Sequence, residues 1–174
     1  MRLAPRGANP QRAAFTLLEV LTVVALIAVL TGIVIGAGGR AIEAARSTRA
    51  RAELTVLASA LESYKRAYGD YPRTDDAAQL LPALLGRRGP ASNANLNGRA
   101  LLDTARFRVF AGVLLDPWDQ PYEYAYKIPS AGWTNVRFVL YSRGPDRNAF
   151  SRLLAGGFVD ATAPANQDNL HANP

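Results

Sequence analysis

The chain has 174 residues, is 49% apolar, carries a net charge of +6 and contains no cysteine. That length leaves one modest domain beyond any membrane segment, and the missing thiols exclude disulfide stapling and cysteine chemistry. Arg2, Arg6 and Arg12 sit near the start; without them 17 basic side chains face 14 acidic ones, a balance of +3 that is too mild to argue for a nucleic-acid partner.

The first block, MRLAPRGANPQRAA, is basic and has no acid. After it comes FTLLEVLTVVALIAVLTGIVIGAGG, Phe15 to Gly39, uncharged from Val20 onward. An uncharged run of about 20 residues makes roughly 30 Å of helix, the thickness of a bilayer's hydrocarbon core. Three readings of this block compete. A secretory signal peptide would have an apolar region of only about 7–15 residues. A plain anchor is at odds with Glu19, since a carboxylate in hydrocarbon is costly unless paired. The third reading is a leader cut before the apolar block, which leaves Phe15 as the new N-terminus and Glu19 as its fifth residue.

The string AFTLLEV carries the decision. It resembles the processing site of type IV pilins and type II secretion pseudopilins: Phe, Thr-Leu, an acid at the fifth position, then a long uncharged run. The resemblance implies cleavage between Ala14 and Phe15 by a prepilin peptidase, methylation of the Phe15 amine, and an assembly role for Glu19. The family usually has Gly before the cut, where this chain has Ala14. Arg40, Arg46, Arg49 and Arg51 follow the apolar block, so the distribution of positive charge does not settle topology. The resemblance implies a cytoplasmic N-terminus and a periplasmic head on a single-pass inner-membrane anchor.

Beyond the anchor, Leu54, Leu57, Leu61, Tyr64 and Tyr68 recur every three or four residues, which predicts that the helix continues from Ile42 to Tyr68 with one apolar stripe. Gly69 and Pro72 end it. Gly32, Gly36, Gly38 and Gly39 weaken the helix near the end of the uncharged run. Family members often have a proline near Gly36 and can melt there on assembly. Gly32 and Gly36 also form a GxxxG pair suited to close helix packing. Both readings imply helix neighbours.

DYPRTDDAAQLLPALLG predicts a short second helix with Thr74 as N-cap, Asp75 and Asp76 in its first turn, and Pro82 kinking or shortening it. RRGPASNANLNGR is a loop with an Asn-rich tip. In DPWDQPYEYAYK a turn feeds a strand whose Tyr122, Tyr124 and Tyr126 share one face. NVRFVLYS is the returning strand, with Val136, Phe138 and Leu140 on one face, across a wide hairpin. The tyrosine face could stack bases, but no basic cluster interleaves with it, and it is read as core.

These segments resemble the DPWGxPYxY and SxGPD signature of the major pseudopilin head of type II secretion. Asp119 stands where the family usually has Gly, and Asp tolerates left-handed backbone better than most residues. In the family the segment after SxGPD carries a calcium loop. Asp146 and Asp168 match its acidic positions, with Asn148 and Asp160 as looser candidates; calcium is therefore a possible ligand and no cofactor is required. Arg143, Arg147 and Arg152 in the same region oppose it. The other reading is a loop pinned by aspartate turns. With no cysteine, a single histidine (His171) and no nucleophile–base pair or phosphate loop, no enzyme is expected.

The expected fold is α+β: a long N-terminal helix, membrane-spanning in its first half, packed against a small antiparallel sheet, the pilin fold. The segments are a leader (1–14), the membrane and assembly half of the helix (15–39), its amphipathic half (40–68) and a head (69–174). The resemblance implies a structural subunit of a type II secretion pseudopilus, a helical fibre that drives folded proteins through an outer-membrane secretin. Implied partners are the peptidase, copies of itself, minor pseudopilins, the inner-membrane platform with its ATPase, and membrane lipid, with no nucleic acid. The alternatives are a type IV pilin or competence pseudopilin for adhesion or DNA uptake, and a tethered periplasmic binding module that never assembles.

Overall fold

The computed structural model describes residues 15–91, 96–128, 132–148 and 153–172. The chain divides into two units between Ala41 and Ile42. The helix α1, Leu17–Tyr68, supplies the described part of the first and the opening of the second.

In the first unit α1 starts directly after Thr16. The Thr16 carbonyl accepts the Val20 N–H at 3.3 Å, and its hydroxyl accepts the Glu19 N–H at 3.2 Å. This satisfies a donor that a helix start leaves orphaned. Every side chain from Phe15 to Ile33 is exposed, including Leu17 at 85% and Ile33 at 63%. A helix that is apolar all round matches hydrocarbon rather than water. Its hydroxyls need no water either: Thr22 Oγ1 donates to the Leu18 carbonyl at 2.6 Å and Thr31 Oγ1 to that of Ile27 at 2.7 Å. The backbone stays helical through Gly36.

In the second unit α1 changes character. Ala50, Leu54, Leu57, Leu61 and Tyr64 are buried along one face, as the spacing predicts. Gly69 stops the helix with φ +86° and donates its N–H to the Lys65 carbonyl at 2.8 Å. The helix α2, Ala77–Leu84, buries Leu80, Leu81, Ala83 and Leu84. Its cap is Asp76, which accepts the Ala78 N–H at 2.9 Å; the expected cap, Thr74, instead accepts the N–H of Asp76 at 3.0 Å. The acid wins because it is both a good acceptor and a charge suited to the helix's positive end. Pro82 lies inside α2, which ends two residues later.

Among the described residues the strands form three small antiparallel sheets. β1 (Arg108–Phe110) pairs with β2 (Val113–Leu115) across Ala111 and Gly112, both with positive φ. β3 (Glu123–Ala125) pairs with β4 (Val139–Ser142), and β4 with β7 (Leu170–His171). β5 (Leu153–Leu154) pairs with β6 (Phe158–Val159). β4 starts later than the alternation suggests. Val136 is 82% exposed and off the core face, because the Asn135 side chain accepts the Arg137 N–H in a local turn that precedes the strand. The Asn-rich tip (Asn93, Asn95) lies outside the described residues, as does the middle of the β3–β4 connection.

The tyrosine face of β3 is core. Tyr122, Tyr124 and Tyr126 are at most 3% exposed, and each hydroxyl finds an acceptor. Tyr122 donates to Glu53 Oε2 at 2.6 Å, Tyr124 to the Pro72 carbonyl at 2.8 Å, and Tyr126 to Asp70 Oδ1 at 2.7 Å. Asp70 also accepts from Lys127 Nζ and Arg73 Nη2, both at 2.9 Å. Burial alone would raise its pKa, but the bonds from Lys127, Tyr126, Arg73 and the Tyr71 N–H outweigh it and hold the carboxyl well below its usual range. A depressed folded-state pKa stabilises the fold above the unfolded value and loses that stabilisation as pH falls. Unfolding at decreasing pH should therefore show the head weakening through the ordinary carboxylate range and below it. Asp70→Asn should be less stable at neutral pH and show a flatter acid dependence; an unchanged slope would remove Asp70 from this role.

Candidate functional site

Phe15 and Glu19 lie one turn apart and line a common groove with Val20, Val23 and Val24. Phe15 is 77% exposed, and Glu19 is exposed as well. Glu19 occupies the third position of the helix, where its negative charge suits the unpaired N–H groups of the first turn. The structure thus presents an aromatic side chain and an acid one turn apart on an otherwise uncharged stretch of surface. Ala14 and the leader lie outside the described residues. The capping by Thr16 was not among the sequence expectations; the Thr-Leu-Leu-Glu spacing, S/T-x-x-E, is the signal that would have found it.

In the head, the DPW turn is built on Asp116, which is fully buried. Its Oδ1 accepts the N–H groups of Trp118 and Gln120, both at 2.9 Å, and its Oδ2 accepts the Ser142 hydroxyl at 2.6 Å. Burial pushes the Asp116 pKa up despite these bonds. Asp119 takes the left-handed conformation that its position requires, φ +67°, and pairs with Arg108. Trp118, 1% exposed, donates its indole N–H to Glu43 Oε1 at 2.5 Å, so this turn is fastened to α1. Ser142 Oγ in turn accepts the Gly144 N–H at 3.2 Å, joining the DPW turn to the SxGPD turn. Neither Glu43 nor the Asp116–Ser142 bond was foreseen, because each links residues far apart in the chain.

Gly144 brings the tail in. It has φ +73°, and a Cβ there would lie 2.5 Å from the Asp168 carbonyl oxygen, so only glycine fits. Asp168 Oδ2 accepts the Asp146 N–H at 3.2 Å, and Asp146 Oδ1 accepts that of Asn148 at 2.7 Å. Asp160 accepts the N–H and hydroxyl of Thr162 at 2.9 and 2.6 Å, and its carbonyl accepts Asn166 Nδ2 at 2.7 Å. Asp146 and Asp168 are thus brought together, while Asp160 caps a turn of its own. Calcium takes six to eight oxygens, several from carboxylates. Among the described residues no group of three or more His, Cys, Asp and Glu side chains is placed to hold a metal ion; Asp146 and Asp168 are the two candidate acids that meet.

A long apolar helix with an acid in its first turn, followed by a head fastened at DPW and SxGPD turns, is the arrangement the resemblance implied. The family "Type II secretion system (T2SS), protein G" matches residues 39–152. The chain belongs to this family. The prokaryotic N-terminal methylation motif matches residues 9–35, across the Ala14–Phe15 bond and Glu19. The type II secretion system core protein G of Pseudomonas aeruginosa is 28% identical over 136 residues, covering 78% of this chain and 85% of its own length. No solved structure matches. The protein is a pseudopilin subunit of a type II secretion system, a structural component that works with other parts of that system. Its N-terminal helix is long and apolar enough to cross a membrane, as suits an anchored subunit of that system. The match selects secretion over the adhesive and competence alternatives.

Because the tail is seated on Gly144, Gly144→Ala should destabilise this pseudopilin by more than about 1 kcal/mol, combining an unfavourable φ with a backbone clash. Thermal unfolding should show the drop, and limited proteolysis should cut first after Pro145. Equal stability and protease resistance would contradict the tight approach of Asp168.

Proposed function

We propose that the leader is removed between Ala14 and Phe15 by the prepilin peptidase, that the Phe15 amine is methylated, and that the mature chain is stored in the inner membrane with its head in the periplasm. From there it joins copies of itself and minor pseudopilins in a helical fibre, assembled by the membrane platform and its ATPase and directed at the secretin. The observation that supports this reading is Glu19, the one charged residue between Phe15 and Ile33, on a stretch of helix whose side chains are exposed and, threonines aside, apolar. In a fibre, the next subunit is displaced along the axis. A Glu19 carboxylate then meets a neighbour's Phe15 ammonium between apolar helices. Such a pair adds little net stability because both ions lose water, but a misplaced subunit leaves a charge buried alone, at a cost of about 3–5 kcal/mol. The pair therefore sets register.

Mass spectrometry of membrane material should find Phe15 at the N-terminus, carrying one added methyl. Glu19→Ala should be inserted and cut, yet give few crosslinked multimers when expressed alone. Normal multimers from that variant would reject the register role, and a chain still beginning at Met1 would reject processing.

The tail is read as held by its own turns, with no calcium required. A chelator should then leave the melting temperature unchanged. A ligand that binds only the folded state raises stability by mass action, so a clear rise with added calcium would show that Asp146 and Asp168 share an ion after all.

A further inference from the structure

The second unit carries an open cleft that none of the roles above uses. Ile42, Ala45, Arg46 and Arg49 of α1 line it together with Arg108 of β1 and Pro117. Among the described residues no acidic side chain lines it. Each arginine already holds one carboxylate: Arg46 with Glu43 at 3.7 Å, Arg49 with Glu53 at 2.7 Å, and Arg108 with Asp119. A guanidinium has five N–H donors in a planar fork, so each retains donors for a second acceptor. The three side chains are 44%, 52% and 55% exposed, which leaves those donors reachable.

Beside this cleft stands an apolar group that the fold does not need. Phe110 is 73% exposed. It lies two residues from Arg108 on β1, so the two side chains share a face of the hairpin. The residue between them, Val109, is paired with Leu114, which is only 2% exposed, so the opposite face is the one turned to the core. The tight turn at Ala111 and Gly112 holds Phe110 at the tip.

Arginines that can each take a further anion, next to a large exposed aromatic, are the combination that binds an anionic bilayer surface: the cations meet phosphate and the ring enters the interfacial layer. An acidic peptide would satisfy the arginines but gives no use for Phe110. The sequence also brings lipid within reach, since Ile42 comes three residues after Gly39, where the uncharged run ends. We infer that this cleft receives the phosphate of an anionic phospholipid, with Arg46, Arg49 and Arg108 as donors and Phe110 as the wedge, and so holds the head against the leaflet while the subunit is stored. The inference rests on the membrane-anchored reading.

The natural chain has no cysteine, so a nitroxide can be placed at one position alone. Val113→Cys puts it opposite Phe110 in the hairpin register and leaves the cleft intact. The full-length protein is reconstituted in phosphatidylcholine vesicles with or without a minority of phosphatidylglycerol. With the anionic lipid, the label should become shielded from an aqueous nickel reagent and accessible to oxygen dissolved in the bilayer. High salt should reverse this, because surface charge is screened. Each arginine near an anionic leaflet is worth about a factor of five, so Arg46→Gln with Arg108→Gln should lower the engaged-to-free ratio about 25-fold. Phe110→Ser should reduce the oxygen contact while keeping part of the salt sensitivity. The lipid and salt arms keep all three arginines, so a variant that folds poorly does not blunt the test. A label equally aqueous with both lipids overturns the inference, as does shielding that ignores lipid charge and grows with protein density, which would identify a protein neighbour. Protein that does not float with either vesicle overturns the anchor reading itself, whereas floating protein with an aqueous label overturns the cleft alone.

Discussion

One helix has to be stable in two environments, and the rest of the structure follows from that constraint. As far as Ile33 its described side chains are exposed on every side and apolar but for Glu19 and two threonines. Lipid tails or other apolar helices are favourable surroundings for such a surface. From Ala50 onward the same helix needs protein on one face only, and it supplies Leu54, Leu57, Leu61 and Tyr64 for the purpose. Storage in a bilayer and packing in a fibre are then alternative solutions to one burial problem. Moving between them exchanges apolar neighbours without exposing the helix to water.

The head solves a different problem: fastening short strands to a helix with a small core and no disulfide. Strands of two to four residues contribute few ladder bonds. The fastening comes instead from polar groups that cross the core. Tyr122 reaches Glu53, Trp118 reaches Glu43, and Tyr124 and Tyr126 reach the Pro72 carbonyl and Asp70 in the segment after the helix. Such bonds add about 0.5–1.5 kcal/mol each when intact but cost more when one partner is left buried alone, so they select one register more than they add stability. Asp116 does the same between turns, bonding to its own DPW segment and to Ser142.

What the sequence made legible were features with a short period. The long helix, its apolar stripe, the Gly69 stop and the tyrosine alternation are all local patterns, and each has its counterpart in the structure. The family signature added what no period encodes, the methylation motif around Phe15. Illegible were pairings between distant residues, such as Glu43 with Trp118. The β1–β2 hairpin was also hidden: RVFAGVLL reads as one apolar run, and its turn places Ala111 at positive φ where Asn or Gly would have announced it. Val136 misled because alternation was extended into a segment that the Asn135 turn had already ended. Thr74 lost the cap to Asp76 because both are competent acceptors and the acid adds a charge suited to the helix's positive end.

The central claim is that the uncharged helix exchanges lipid for its neighbours' helices, with Glu19 setting the step between subunits. A density map of the assembled fibre at side-chain resolution tests this most directly. The account predicts residues 20–33 packed against other subunits along the fibre axis, with each Glu19 carboxylate within hydrogen-bonding distance of a neighbouring Phe15 amine. A fibre whose uncharged helices lie on the outside, or whose Glu19 faces solvent with no amine near it, would contradict it.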